Sequence, residues 1–274
     1  MSDSFDHARL GGKIAVVTGA AQGIGEATAR LLAARGVAGL LLTDRNAEAG
    51  RAVAASILAS GTPAEFVAAE LSRMDEVARV VPAADARFGR VDILANVAGL
   101  TDRGTVWDTT PELWDRMFAI NVRAPFFLMQ AALKVMDRED IAGAMVNIIS
   151  VNAHGGASFL TPYSASKGAL ATLTKNFAHS VANRRIRVNG LNIGWVDTPG
   201  EHATLKRFHG AADNWLEAAE ASRPFGRLLK PDEIARAVAY LASDESGLMT
   251  GSLIDFDQVV QGPNEQVSPR TVKP

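Results

Sequence analysis

The sequence predicts an α/β protein, a doubly wound parallel sheet of about seven strands with helices on both faces. Short apolar segments recur along the chain, helix-forming segments separate them, and a glycine-rich turn joins the first strand to the first helix. Strands that alternate with helices form parallel sheets, and right-handed crossovers place the helices on both faces. The strands are expected near residues 13–18, 38–43, 65–69, 91–95, 144–149, 186–191 and 252–256.

Length and composition agree with one domain over residues 1–274, with a core over about 12–257 and a polar tail over 262–274. With 47% hydrophobic residues the chain can bury one large core, and its net charge of −2 gives no reason to expect nucleic acid. The absence of cysteine excludes disulfides and thiolate-held metals. The polar N-terminus and the lack of a long apolar segment predict a cytoplasmic protein with no membrane partner.

The first strand runs into the turn Thr18-Gly19-Ala20-Ala21-Gln22-Gly23-Ile24-Gly25. Glycine lets the backbone turn tightly and approach a pyrophosphate, whose charge is met by the free N–H groups at the start of the next helix. The turn therefore predicts a dinucleotide site with contacts from Gly19, Gln22, Gly23, Ile24 and Gly25.

The second strand ends in Asp44, nineteen residues after Gly25. A carboxylate at this place accepts hydrogen bonds from the adenosine ribose and repels a 2′-phosphate, so the sequence predicts NAD as the cofactor. Two alternatives remain at this point. Asp44 could instead cap the helix that begins near Ala47, and the neighbouring Arg45 could accept a phosphate.

A second motif lies downstream, where Ser150 precedes Tyr163 by thirteen residues and Lys167 by seventeen. Ser150 ends an apolar strand, the place where open α/β sheets keep their ligand sites, while Tyr163 and Lys167 share one helix face. A free tyrosine, with a pKa of about 10, is a poor base at neutral pH. We expect the lysine ammonium and a positive nicotinamide ring to favour the phenolate.

From about Gly12 to about Asp257 the chain resembles the compact single-domain branch of the short-chain dehydrogenase/reductase family. The resemblance rests on the glycine turn, Tyr163-x-x-x-Lys167, Asn96-Val97-Ala98-Gly99, Ile120-Asn121-Val122 and Arg187-Val188-Asn189. It implies a Rossmann fold and a hydride-transferring enzyme. It also implies cofactor contacts from Glu70, Leu71, Asn96, Ala98, Gly99, Tyr163, Lys167, Val196 and Thr198.

The resemblance assigns four catalytic residues. Tyr163 would be the general acid and base, Lys167 would lower its pKa and hold the nicotinamide ribose, and Ser150 would orient the substrate oxygen. Asn121 would hold, through its backbone, a water that links Lys167 to solvent. The family also implies a homo-oligomer, with a tetramer favoured over a dimer.

Three segments depart from the family pattern, and the first, Glu70-Leu71, keeps a carboxylate on a longer arm where many members have Asp-Leu or Asp-Val. Ile193-Gly194 replaces the usual Pro-Gly, which predicts a less rigid loop under the cofactor. Gln258-Val259 replaces Gly-Gly after the last strand, which alters a turn that often contributes to the tetramer.

The expected substrate is a small polar secondary alcohol or its ketone, such as a polyol or sugar, because polar side chains are frequent around the expected pocket. Ser150, Asn152, His154, Trp195 and His202 are the predicted contacts, under a lid over about residues 198–225. His202 and His209 lack a third ligand at suitable spacing, so no metal is expected. The alternatives are an NADPH-dependent reductase of ketones or 3-oxoacyl thioesters, and a non-catalytic regulatory protein that binds a dinucleotide.

Overall fold

The structure is a computed structural model that describes residues 10–155 and 157–260. It contains one seven-stranded parallel sheet in the order β3-β2-β1-β4-β5-β6-β7. All seven predicted strands are confirmed within a few residues, whereas the predicted polar tail, 262–274, lies outside the described residues. The strands are β1 (Ile14–Thr18), β2 (Gly39–Asp44), β3 (Ala64–Ala68), β4 (Ile93–Asn96), β5 (Ala144–Ile148), β6 (Arg187–Ile193) and β7 (Leu253–Phe256).

Successive residues of each central strand enter two different cores, as the period of two along a strand requires. Val17 and Ile93 face one side of the sheet, and Val16 and Leu94 face the other. Both sides are covered by helices, so these strands are apolar throughout rather than alternating with polar residues. The doubly wound arrangement is thereby confirmed.

The helices form two layers, one on each side of the sheet. Helices α1, α2 and α9 cover one core, while α3, α5 and α6 cover the other. The helices are α1 (Gly23–Ala34), α2 (Ala47–Ala59), α3 (Met74–Phe88), α4 (Pro111–Phe118), α5 (Ala124–Arg138), α6 (Thr161–Val181), α7 (Pro199–His209), α8 (Trp215–Ala221) and α9 (Pro231–Ala242).

A π-helical turn, Ala119–Arg123, joins α4 to α5. Within it the Ala124 N–H donates to the Ala119 carbonyl, five residues back. Pro125 lies just beyond, and it lacks the N–H that the Asn121 carbonyl would accept in a regular α-helix. The wider turn thus places Asn121 at the single irregular point of a long helical segment.

Helices α7 and α8 lie within the segment that the sequence predicts to be a lid, and a small separate core made by Leu205, Trp215, Ala219 and Leu228 packs there. The end of the lid is attached to the end of the sheet through Gln258. The Phe225 N–H donates to Gln258 Oε1 at 2.9 Å, and Gln258 Nε2 donates to the Arg227 carbonyl at 2.7 Å. Glycine, which the family has here, could not make these two hydrogen bonds.

Candidate active site

A cleft of about 1040 Å³ opens at the carboxyl ends of the strands, where the sheet order reverses between β1 and β4. Most of the predicted site residues line it together. They are Gly19, Gln22, Gly23, Ile24, Gly25, Asp44, Arg45, Glu70, Leu71, Ala98, Gly99, Ser150, Asn152, Tyr163, Lys167, Trp195, Val196 and Thr198. Four other predicted residues, Asn96, Asn121, His154 and His202, do not line it.

The glycine turn is shaped by backbone contacts that a side chain would break. A Cβ on Gly25 would lie 2.0 Å from the Gly19 carbonyl oxygen, and a Cβ on Gly19 would lie 2.9 Å from the Ala98 Cα. Gly19 and Gly23 also have positive φ angles of 68° and 57°. The turn between β1 and α1 is therefore tight and leaves backbone rather than side chains facing the cleft.

The N-terminus of α1 fits a pyrophosphate. Gln22 at the N-cap makes no side-chain capping hydrogen bond, so the first N–H groups of the helix are not satisfied by a cap. These N–H groups and the positive end of the helix dipole suit a bound diphosphate. The residues present therefore fit a dinucleotide.

Asp44 lies at the carboxyl end of β2 and holds its carboxylate in the cleft with backbone partners. Ala21 N–H donates to it at 3.2 Å, and Asn46 N–H donates at 2.9 Å. The alternative that Asp44 caps α2 is wrong, because Asn46 is the N-cap and its side chain accepts from the Ala49 N–H. Arg45, also at the cleft, is exposed.

Asn96 was expected to contact the cofactor but is buried beneath the cleft instead. Its Nδ2 donates to Asn147 Oδ1 at 2.8 Å, which joins β4 to β5. Nearby, Thr18 Oγ1 accepts from the N–H groups of Val97 and Ala98, at 3.0 Å each. These two side chains fix the loop after β4, whose Ala98 and Gly99 do line the cleft.

Lys167 is buried, with 3% of its surface exposed. Its Nζ donates to the Ile148 carbonyl at 2.8 Å and lies 5.8 Å from the centre of the Tyr163 ring. Gly99 leaves room for it, since a Cβ there would lie 3.3 Å from Nζ. No carboxylate of the described residues is paired with this amine, and burial lowers the pKa of Lys167 to about 8.

Tyr163 is also buried, and its burial raises the pKa of the phenol to about 12. A hydrogen bond with Ser150 acts in the opposite direction and lowers the pKa, as does the charge of Arg103, whereas the charge of Glu201 raises it. In the protein alone, desolvation thus outweighs the effect expected from Lys167. The positive nicotinamide ring is then the group left to favour the phenolate.

Asn121 lies beneath the cleft and is fully buried. Its side chain accepts from the Leu100 N–H at 2.8 Å, donates to the Leu100 carbonyl at 2.9 Å and donates to Ser166 Oγ at 3.0 Å. The side chain therefore joins the loop after β4 to α6, the helix that carries Tyr163 and Lys167.

His154 and His202 have partners away from the cleft. His154 Nε2 lies 2.9 Å from Asp255 Oδ1 on β7, and His202 Nε2 lies 2.7 Å from Asp197 Oδ1. The prediction that these two imidazoles contact substrate is therefore not supported by their positions.

A further polar cluster lines the cleft and was not singled out by any motif. Arg103 Nη2 donates to Glu201 Oε1 at 3.3 Å, Trp195 Nε1 donates to the same oxygen at 2.9 Å, and Arg103 Nε donates to His209 Nε2 at 3.0 Å. Arg103 follows β4 and Glu201 belongs to α7, so the contact joins elements far apart in sequence. Only the polar character of both segments could have indicated it.

Over residues 10–155 and 157–260, no helix is both long and apolar enough to cross a bilayer. The same ranges contain no group of three His, Cys, Asp or Glu side chains arranged to share a metal ion.

Comparisons with known proteins agree with this fold and cleft. A family model described as enoyl-(acyl carrier protein) reductase matches residues 19–258. An uncharacterized oxidoreductase of Methylorubrum extorquens is 37% identical over 90% of this chain and 97% of its own length. Galactitol 2-dehydrogenase of Agrobacterium fabrum is 33% identical over 91% of this chain and 97% of its own length.

Among solved structures, a 3-oxoacyl-(acyl-carrier-protein) reductase from Agrobacterium tumefaciens with NADP bound is similar, with a TM-score of 0.83 and 29% identity. The match covers 93% of this chain and 98% of that one. The chain belongs to the short-chain dehydrogenase/reductase family. It is thus an oxidoreductase that transfers a hydride between a nicotinamide dinucleotide and an alcohol or ketone.

Proposed function

We propose that the protein is an NAD-dependent dehydrogenase of a small polar secondary alcohol, with a polyol or sugar as the general type. The observation that carries the choice of NAD is the position of Asp44, whose carboxylate lines the cleft beside the glycine turn. A ribose with free hydroxyls can donate to this carboxylate, whereas a 2′-phosphate would be repelled. Glu70 and Leu71 line the cleft as proposed adenine contacts.

The choice of a polar substrate rests on the side chains at the other end of the cleft. Asn152, Trp195 and the Arg103–Glu201 pair offer hydrogen-bonding groups close to the phenol of Tyr163. A pocket for a steroid or a long acyl chain would be lined mainly by aliphatic groups. The relative named galactitol 2-dehydrogenase is consistent with a polyol.

In the proposed mechanism, Tyr163 accepts the proton of the substrate hydroxyl while Ser150 holds the substrate oxygen through its own hydroxyl. When bound, the nicotinamide supplies the hydride acceptor. Lys167 would hold the nicotinamide ribose, and the positive nicotinamide ring would favour the phenolate. The Asn121 backbone carbonyl, which has no α-helical donor at Pro125, holds the water that carries the proton away.

The second candidate is an NADPH-dependent reductase of ketones or 3-oxoacyl thioesters. It is favoured by the relative with NADP bound and by Arg45, which lies exposed beside Asp44. One assay tests both candidate functions. A panel of polyols, sugars and simple secondary alcohols is offered with NAD and with NADP, and formation of NADH or NADPH is followed by absorbance at 340 nm. Turnover of a polar alcohol with NAD supports the proposal, and activity confined to NADPH and ketones contradicts it.

Asp44→Asn is expected to narrow the preference for NAD over NADP about 10- to 100-fold, because it removes the charge that repels the 2′-phosphate. The measurement is kcat/KM for both cofactors with one saturating alcohol. Glu48→Gln is the matched control, since Glu48 is exposed in the first turn of α2. An unchanged preference in Asp44→Asn would mean that Arg45 or another group reads the ribose.

We further propose a homo-oligomer, a tetramer or a dimer, in the cytoplasm. A groove along α4, α5 and α6 is lined by Phe118, Val122, Phe126, Phe127 and Leu173. Trp114 beside it is 40% exposed, and Phe127 is 38% exposed. Such an apolar face suits contact with a second copy of the chain, which light scattering after gel filtration would detect.

A further inference from the structure

Arg223 lies just after α8, at the end of the lid, and lines the catalytic cleft together with Trp195 and Asp257. Among the described residues, no carboxylate forms an ion pair with its guanidinium, and its side chain makes no hydrogen bond. A half-buried positive charge without a partner is unusual, because burial of a charge is unfavourable unless it is paired.

The other arginines at this end of the cleft differ from Arg223. Arg103 is paired with Glu201 at 3.3 Å, and Arg207 is 4.0 Å from Asp102. Their charges are therefore balanced within the protein by acids on the facing element. The charge of Arg223 is not balanced in this way and is available to a ligand.

Arg223 is also held in a fixed orientation. Its guanidinium carbon lies 5.0 Å from the centre of the Trp195 ring, a cation–π contact. Nε is sealed from solvent and has no hydrogen-bond partner, whereas neither terminal nitrogen is sealed in this way. The open part of the guanidinium is thus its terminal pair of amino groups, the part that binds a carboxylate in a bidentate way.

Trp195 connects Arg223 to the reacting groups. Its indole N–H donates to Glu201 at 2.9 Å, and the charge of Glu201 acts on the phenol of Tyr163. Trp195 thus contacts both Glu201 and Arg223, and this places the arginine at the end of the cleft that carries the Arg103–Glu201 pair. It is remote in sequence from the glycine turn and from Asp44, which suit the diphosphate and the adenosine.

The carboxylate of Asp257 lies close enough to Arg223 for the arginine's charge to lower its pKa, but this carboxylate has other partners. Its carboxylate packs on Gly194, where a Cβ would lie 2.1 Å from Oδ1, and it accepts from the Gln258 N–H at 2.8 Å. Burial raises the pKa of this carboxyl, and the charge of Arg223 lowers the pKa only as a smaller effect. Asp257 therefore does not occupy the open side of the guanidinium.

We propose that Arg223 binds the carboxylate of the substrate, so that the secondary alcohol oxidised in this cleft belongs to a small hydroxy acid. This inference rests on the proposed function and narrows it. The hydroxyl proton passes to Tyr163, the hydride passes from the carbinol carbon to NAD, and the products are an oxo acid, NADH and a proton. The carboxylate remains intact and serves only to hold the substrate.

The test compares substrates that differ only in the charged group. The pairs are 3-hydroxybutyrate with 1,3-butanediol and gluconate with glucitol, each assayed for NADH formation with the full chain. We expect kcat/KM to favour the acid of at least one pair by about 10- to 100-fold, the range for a charged hydrogen-bonded contact. In Arg223→Gln that ratio of acid to neutral alcohol is expected to fall to about 1, and Arg223→Lys is expected to retain part of it.

Arg236→Gln is the matched control, because it removes an equal charge from the exposed surface of α9. A purely structural role for Arg223, such as support of Trp195, would lower both members of a pair together and leave the ratio unchanged. Equal turnover of acid and neutral alcohol by the wild type and by Arg223→Gln overturns the inference but not the proposed function.

A binding measurement separates the two proposals when turnover is absent. Isothermal titration calorimetry with 3-hydroxybutyrate and with gluconate, in the presence of NADH, reports binding without reaction. If the wild type binds an acid and Arg223→Gln does not, while no alcohol is oxidised, Arg223 still binds the carboxylate of a ligand, and the proposed function falls. If no acid is favoured over its neutral partner in turnover or in binding, the inference is overturned.

Discussion

Tyr163→Phe is expected to lower kcat by about 10²- to 10⁴-fold, the range for loss of a general acid or base. The ring would still fill its buried place against Met117 and Leu160, so the fold should be retained. What disappears is the hydroxyl that is hydrogen-bonded with Ser150 and would exchange the proton. NAD binding, measured by calorimetry, should change little.

The chain offers a matched control for this change. It has two tyrosines, and the other, Tyr240, is 38% exposed on α9, away from the cleft. Tyr240→Phe should leave turnover unchanged. If Tyr163→Phe retained turnover within a few fold of the wild type, Tyr163 could not be the acid and base, and a water or another side chain would have to carry the proton.

Lys167→Met is expected to abolish turnover and at the same time to stabilise the cofactor-free protein by about 3 kcal/mol at pH 7. Burial lowers the pKa of Lys167 from 10.5 to about 8, so the fold opposes the charged form of the amine. Its one protein hydrogen bond, to the Ile148 carbonyl, does not outweigh this effect. Methionine fills a similar volume without a charge.

The stability that Lys167→Met gains over the wild type is expected to depend on pH. Between about pH 8 and 10.5 the unfolded chain binds more protons than the folded chain. The loss of folding stability that the buried Lys167 ammonium causes in the wild type is therefore largest below pH 8 and decreases as pH rises. The advantage of Lys167→Met, measured by urea unfolding without NAD, should shrink accordingly. Lys175→Met, at an exposed position of α6, is the control. A variant less stable than the wild type at both pH 7 and pH 9.5 would contradict the prediction.

Sequence patterns predicted the sheet and the catalytic end of the cleft because the signals for both are local. Apolar runs mark the strands, and Tyr163 and Lys167 lie one turn apart on a single helix. Ser150 lies two residues beyond the end of β5, in the segment that connects this strand to α6. The standard right-handed connections are then sufficient to bring these neighbouring elements into contact.

The remainder of the site depended on tertiary contacts that no local pattern encodes. His154 meets Asp255 across 101 residues, and Arg103 meets Glu201 across 98. Asn96 was assigned to the cofactor, yet its Nδ2 donates to Asn147 Oδ1 below the cleft, because the pairing of β4 with β5 places the two residues side by side. The positions of such side chains follow from packing, which the sequence specifies only as a whole.

The separate core of the lid has a consequence for how this enzyme can change. Leu205, Trp215, Ala219 and Leu228 pack mainly with one another, apart from the two cores that flank the sheet. We therefore expect substitutions that disturb the small core to loosen α7 and α8 before they loosen the sheet. The wall of the cleft that these helices form can change its shape while the two large cores keep their packing.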